Sequence, residues 1–446
     1  MAFFRTRPKK RRVFVLSLDG VPYSFLEAQM SQGRLPHLAK MVEEGSFTRM
    51  RSVLPTISSV AWSTFMTGKN PGKHGIFGFV DHRPSSYEMF IPTSLNMTSK
   101  TLWEILSERG KRVVVINVPV TYPVRSVNGI LVAGFLATNL KKATFPREIA
   151  GQLEQMGYRI DVDSAQARES LDKFLEDLRI TLERRIQAVS YFMDRQSWDY
   201  FQLHVMGTDR INHFMWEHME QEHPEYKTPF LNYYEQIDEI LGMFHNRMND
   251  DVTFILLSDH GFCTVKKEVN LSRYLLEKGW LRFGENPPES LQDIHPSSKA
   301  YTLLPGRIYI NMKGREPKGS VDPSDYDRVR GEVAEGLLEL RNPDTGERVI
   351  RKVARREEIY HGDSLFQAAD LIAIPTDGFD LKADVKKALL FEKTALVGMH
   401  TYDDAFLLVL GRRSVQEDVE IMDLMPTILS MMDVRVPQDV DGRVAV

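Results

Sequence analysis

Two apolar runs, each stopping at a carboxylate, most constrain what this chain can fold into. Residues 252–257 are apolar or β-branched without polar alternation, and Ser258-Asp259-His260-Gly261 follows at once. Such a run reads as a parallel strand buried on both faces, and Gly261 permits the sharp turn that ends it. Residues 13–18 form a second run, ending in Asp19-Gly20. In open α/β sheets the carboxyl ends of strands are where ligands bind, and a carboxylate beside an imidazole suits a divalent metal ion. Taken singly, Asp259-His260 fits a helix-capping Asp and an exposed His equally well, and Asp19 alone reads better as a cap for the helix after Val21-Pro22.

Length and charge narrow the class. A chain of 446 residues exceeds the usual single domain, so one large α/β domain with a substantial insertion, or two domains, is expected. With 57 basic and 61 acidic residues the net charge is −4, which argues against specific nucleic-acid binding. Six Lys or Arg fall between Arg5 and Arg12, and residues 1–12 read as a basic flexible tail. The run 13–18 is too short for the apolar part of a signal peptide or for a transmembrane segment. Cys263 is the only cysteine, so no intramolecular disulfide forms, and a cytoplasmic location is the expectation.

Taken in order, residues 59–67 read as a helix ended by Gly68, with Asn70-Pro71-Gly72 turning behind it. Ser58 then stands at a helix N-terminus, where amide hydrogens and the positive dipole end favour an alkoxide or a phosphate; a simple N-cap is the plainer role. Residues 113–118 and 129–133 continue the sheet. Residues 165–196 are amphipathic, packing on the sheet's outer face as the expectation or covering the site as a lid, within a helical insertion 140–196. After the strand 200–205, Thr208 caps a helix on which Asp209 and His213 stand at i and i+4, able to grip one ion together. His204, His218 and His223 are read as surface or packing residues. Residues 283–299 form a loop, 307–363 a cap or subdomain (insertion 283–363), and the final core segment takes in strands 371–375 and 405–410. Between them stands His400, a ligand candidate whose plainer reading is a loop histidine.

Together these residues make a site that none makes alone. Asp209, His213 and His400 offer one ion two imidazoles and a carboxylate, while Asp19, Asp259, His260 and the Ser58 oxygen offer another, a mixture suited to Zn2+ and next to Mn2+. Two ions about 4 Å apart stabilise both attacking and leaving oxygens of an in-line displacement at phosphorus, with Ser58 as attacking oxygen.

These pieces resemble the alkaline phosphatase superfamily, and most closely its type I phosphodiesterase and nucleotide pyrophosphatase branch. The matching stretches are Leu18-Asp19-Gly20, the Pro-Thr-x-Ser stretch that leads to Thr67-Gly68, Asn70 to Ile76, Thr208-Asp209 to His213, Ser258 to Gly261, Gly398-Met399-His400 and Pro426-Thr427-Ile428. They stand in the family's order over nearly the whole chain. The resemblance implies a three-layer α/β/α sandwich with a mostly parallel central sheet and an inserted cap, filling residues 13–446. It also implies two zinc sites that coincide with the sets above, and Ser58 as nucleophile, ahead of Ser59 and Thr56. Phe79 falls where nucleotide pyrophosphatases carry an Asn that binds a phosphoryl oxygen. Trp62 replaces the Arg of the sulfatase motif and Cys263 lies elsewhere, which argues against a formylglycine sulfatase. The expectation is a phosphodiesterase acting on nucleotide-type or other small-molecule diesters through phospho-Ser58. A phosphomonoesterase or phosphomutase is the alternative, and a non-catalytic metal-binding scaffold a distant third.

Overall fold

The computed structural model describes residues 11–249, 251–411 and 415–446. Of the basic tail only Arg11 and Arg12 are among them; the remainder lies outside the described residues. The strand Arg12–Leu18 shows why the chain builds layers. Phe14, Leu16 and Leu18 enter one hydrophobic core, whereas Val13 and Val15 enter another on the opposite face. A strand apolar on both faces needs cover on both.

That strand is central in a nine-stranded sheet. It pairs in parallel with Val252–Ser258 on one side and Tyr200–Val205 on the other. Outward from Tyr200–Val205 come Val113–Ile116, Gly129–Val132 and Thr144–Phe145; outward from Val252–Ser258 come Ala405–Leu410, Gly45–Arg51 and Val419–Glu420. Only the pairings of Ala405–Leu410 with its two neighbours and of Gly129–Val132 with Thr144–Phe145 are antiparallel. Helices Pro36–Glu44, Leu171–Arg195, Gly207–Glu220 and Lys227–Arg247 supply the first core. Ser58–Thr67, Leu102–Glu108 and Leu424–Met431 supply the second. The result is the three-layer α/β/α sandwich, its sheet mostly parallel.

The amphipathic stretch 165–196 is not one helix. Gln166–Glu169 stops at Ser170, whose extended backbone and side chain cap the start of Leu171–Arg195 by accepting from the Lys173 amide (3.4 Å). The long helix buries Phe174, Leu178, Leu182, Val189 and Phe192 against the sheet, while the short one stays on the surface.

A second, antiparallel sheet of Ala300–Leu303, Arg307–Ile310, Leu371–Pro375 and Ile350–Arg355 has its own core with helices Leu271–Glu277 and Tyr326–Glu339. The strand Leu371–Pro375, assigned above to the final core segment, therefore belongs here: it pairs with Arg307–Ile310 and Ile350–Arg355 rather than with the central sheet. The fully buried Arg307 reaches back to the Asp81 carboxylate and the Val80 carbonyl, and the Tyr360 hydroxyl donates to the Leu54 carbonyl (2.7 Å), so the two sheets are bolted together beside the strand ends. No helix among the described residues is long and apolar enough to cross a membrane.

The turn after Ser58–Thr67 contains a buried histidine that makes folding sensitive to acid. His74 Nδ1 accepts from the Ile76 amide (3.2 Å), so Nε2 bears the proton and faces the Thr64 hydroxyl (3.0 Å). Burial pulls its pKa from 6.5 to about 3. The unfolded chain thus binds a proton that the native one refuses, and stability falls as pH drops below 6.5, by about 1.4 kcal/mol per pH unit. Denaturant titrations at pH 7 and pH 5 should show a loss about 2 kcal/mol smaller in His74→Gln than in the parent.

Candidate active site

The site lies where three neighbouring parallel strands end. Asp19 follows Arg12–Leu18, Asp259 and His260 follow Val252–Ser258, and helix Gly207–Glu220 starts just past Tyr200–Val205 with Asp209 in its first turn. In-register pairing of Leu18 with both Val205 and Ser258 brings the three strand ends level. Gly20 turns the chain with φ +65° and donates its amide to Asp259 Oδ1 (3.0 Å); a Cβ there would stand 2.8 Å from the Phe262 ring. Asp19 does not cap the next helix, which starts at Tyr23 without a side-chain cap. Nor does Thr208 cap its own: it lies inside the first turn and donates to the Asp19 carbonyl (2.6 Å).

Three histidines converge with one orientation. His213 Nδ1 lies 2.9 Å from the Gly398 carbonyl, His400 Nδ1 3.2 Å from the Thr56 carbonyl and His260 Nδ1 3.0 Å from the Gly261 carbonyl. A carbonyl only accepts, so each Nδ1 carries the proton and each neutral ring turns an Nε2 lone pair inward. His213 and His400 Nε2 are 3.0 Å apart, and 3.3 and 3.1 Å from Asp209 Oδ1. His260 Nε2 lies 3.5 Å from Asp19 Oδ1 and 3.4 Å from Asp259 Oδ2. Phe262 packs edge-on against both His213 and His400, with centroids 4.9 and 5.2 Å away, and the strand Gly261–Thr264 that carries it pairs with Gly398–Thr401, which carries His400.

Acceptors facing acceptors call for a cation. Asp19, Asp259 and His260 are fully buried, and Asp209 nearly so. Burial and then the Asp19 charge drive the Asp259 carboxyl well above its usual range, and its Oδ2 receives no hydrogen bond. For Asp19 burial also opposes ionisation, yet the carboxyl is held low, with the His204 imidazole the first group working against burial. Donor atoms of Asp19, Asp259 and His260 fall within 4.8 Å of one another, as do those of Asp209, His260 and His400. The two oxygen–nitrogen sets share only His260, and with His213 beside Asp209 and His400 their donors fit divalent ions of the zinc or manganese class.

Ser58 is the first residue of helix Ser58–Thr67, after an extended Ile57, and no side chain caps the end. Its hydroxyl is consequently free to donate to Asp19 Oδ1 (2.9 Å), with His260 Nε2 3.3 Å away, at the positive end of the helix. All seven residues singled out from the sequence therefore meet in one place.

Others were not foreseen. His204 is neither at the surface nor a mere packing residue: it is fully buried, its Nε2 3.2 Å from Asp19 Oδ2. The Trp62 indole donates to the same oxygen (2.8 Å), so Oδ2 is fixed from behind and Oδ1 turns to Ser58. His218 and His223 stack with Tyr226 as packing residues. Phe79 stacks on Phe135 (5.7 Å), and the Arg210 guanidinium covers that ring while standing 3.4 Å from Asp209 Oδ2. A cavity of about 610 Å³ opens from His213, His400 and Phe79 towards the second sheet.

Asp259→Asn keeps the contact with Gly20 but removes a carboxyl that burial and the Asp19 charge hold protonated at a cost to folding. Its metal-free form should melt about 1–3 °C higher than the parent, and the rise in Tm that zinc gives the parent should be lost, as read by thermal melts over a zinc series.

A profile of the family described as Type I phosphodiesterase / nucleotide pyrophosphatase matches residues 13–403. No curated protein matches the chain. Among solved structures, phosphonoacetate hydrolase from Sinorhizobium meliloti 1021, in complex with phosphonoacetate, superposes with a TM-score of 0.67 at 16% identity, over 95% of this chain and 96% of that one. Murine ectonucleotide pyrophosphatase / phosphodiesterase 5 superposes with a TM-score of 0.57 at 15% identity, over 96% of each chain. Its human counterpart gives 0.56 at 14%, over 97% of each.

Proposed function

Because the chain belongs to the type I phosphodiesterase / nucleotide pyrophosphatase family, and so to the phosphoric-ester hydrolases of the alkaline phosphatase superfamily, we propose that it is a two-metal phosphodiesterase working through a phospho-Ser58 intermediate. The observation that carries this reading is the convergence of acceptor-only atoms around the Ser58 hydroxyl.

In this reading Asp209, His213 and His400 hold one ion, and Asp19, Asp259 and His260 hold the other together with the Ser58 oxygen. Bound there, the ions supply Lewis-acid stabilisation of the phosphoryl oxygens and lower the pKa of the Ser58 hydroxyl. Asp19 accepts the Ser58 proton's hydrogen bond and fixes the oxygen's position, while Trp62 and His204 fix Asp19. Ser58 attacks phosphorus and the leaving alcohol departs; water then cleaves the phosphoserine. The N-terminal amides of helix Ser58–Thr67 face the phosphoryl oxygens that the family's Asn would bind, since Phe79 has no donor.

A small diester is the preferred substrate. The murine relative, as an inactive variant, was solved with AMP, and the bacterial one with phosphonoacetate, so both hold small phosphorus oxyanions. The large cavity beside the ligands leaves room for a second ester substituent. A reducing, cytoplasmic setting, the expectation from the single cysteine, belongs to the same proposal.

Metal-depleted protein resupplied with zinc or manganese should hydrolyse bis-p-nitrophenyl phosphate faster than p-nitrophenyl phosphate, and Ser58→Ala should lose at least about a thousandfold in kcat. Monoester preference would move the reading to the phosphomonoesterase or phosphomutase. Inertness of the metal-loaded parent towards both would leave the scaffold.

A further inference from the structure

The cavity beside the ligands does not end at the second sheet. Its first chamber, about 610 Å³, and a second of about 860 Å³ share Arg168, Leu304, Lys382 and Leu396 as wall residues, so the two chambers adjoin at these residues. Much of the first chamber's wall is apolar, with Leu54, Ile57, Phe79, Ile372, Ile374 and Met399 among its residues. A phosphate carries charge and hydrogen-bond acceptors that such walls do not match, so what they suit is a hydrocarbon substituent.

The cations along the two chambers are nearly all neutralised. Lys382 pairs with Asp380 (2.6 Å), Lys386 with Glu289 (2.6 Å), Lys387 with Glu392 and Glu268, and Arg351 with Asp403 (3.3 Å). Arg168 differs. Among the described residues its side chain has no hydrogen bond and no ion pair, and it lies on the wall of both chambers, where they join. It comes from the short helix Gln166–Glu169, which the break at Ser170 releases from the long helix packed on the sheet. Asp377 is an acid of the first chamber without a cationic partner, on the segment that carries Asp380 and Lys382.

Resting on the diester-hydrolase reading, we propose that the substituent remaining on phosphorus is a hydrocarbon chain ending in an anionic group, and that Arg168 is the specificity residue that pairs with it. An unpaired guanidinium at the junction offers a carboxylate or phosphate two parallel N–H donors at a reach beyond the apolar walls. Asp377 lines only the first chamber and does not compete at the junction.

Four p-nitrophenyl phosphodiesters test this with the zinc-loaded protein: methyl, octyl, ω-carboxyheptyl and ω-aminoheptyl. In the parent, kcat/KM should rise from methyl to octyl and rise about tenfold more for the carboxyheptyl ester, the last step residing in KM. In Arg168→Ala the carboxyheptyl-to-octyl ratio should fall to about one, in Arg168→Glu below one, and in Arg168→Lys it should stay intermediate. Arg168 is exposed, so these variants keep the fold. A ratio near one in the parent, its survival in Arg168→Ala, or preference for the aminoheptyl ester would overturn the assignment. Turnover of the methyl ester that disappears in Ser58→Ala reports on the hydrolase reading separately; absence of turnover of all four esters would overturn both.

Discussion

Everything at the strand ends depends on three hydrogen bonds that point away from the reaction. The carbonyls of Gly398, Thr56 and Gly261 each take an Nδ1 proton, and so decide which nitrogen of His213, His400 and His260 is left with a lone pair inside. Without these bonds a neutral imidazole can turn over or change tautomer, and an inward N–H would repel the cation that the carboxylates attract. The carbonyls come from three separate stretches of chain, so the sandwich, the loop before Ser58 and the strand Gly398–Thr401 must all be docked for the set to form. Backbone thus selects side-chain chemistry here, which loosely held histidines could not achieve.

The sequence shows the parts of this arrangement that depend on local pattern. A strand buried on both faces has a recognisable composition, and its end is marked by the residue that follows; Asp19, Asp259 and His260 are legible for that reason. The i, i+4 spacing likewise puts Asp209 and His213 on one helix face. Long-range pairing leaves no such mark. Leu371–Pro375 is as apolar as a central strand, and only its hydrogen bonds to Arg307–Ile310 and Ile350–Arg355 assign it to the second sheet. His204 is the penultimate residue of its strand, where a period of two predicts burial but not that Asp19, two positions past the Ser17–His204 pair, is the neighbour. Phe262, Trp62 and Arg168 matter through contacts or gaps between segments far apart in sequence, and nothing in their immediate neighbours signals it.

The two sheets divide the labour. The central sheet sets Asp19, Asp259 and His260 at its carboxyl edge, as open α/β sheets do, and tolerates little change there because these candidate ligands are tied to register. The second sheet contributes no ligand of the set; it walls the cavity and is joined through Arg307 and Tyr360 close to the segment that leads to Ser58. Variation on that side alters what fits beside phosphorus without disturbing the ligands, which is how one fold serves many esters.

The pairing of Gly261–Thr264 with Gly398–Thr401 has a consequence for how the protein is made. His400 reaches its place only when the strand Gly398–Thr401 adds to one synthesised much earlier, Gly261–Thr264. A ribosome that has released everything up to the second sheet has exposed Asp19, Asp209, Asp259 and His260 to the cell, yet not the residue that closes the ring around them. Contacts of such long sequence separation form late in folding. Capture of the ions proposed for this site would thereby wait for residues 398–401, and a chain interrupted before them is left with a half-built set.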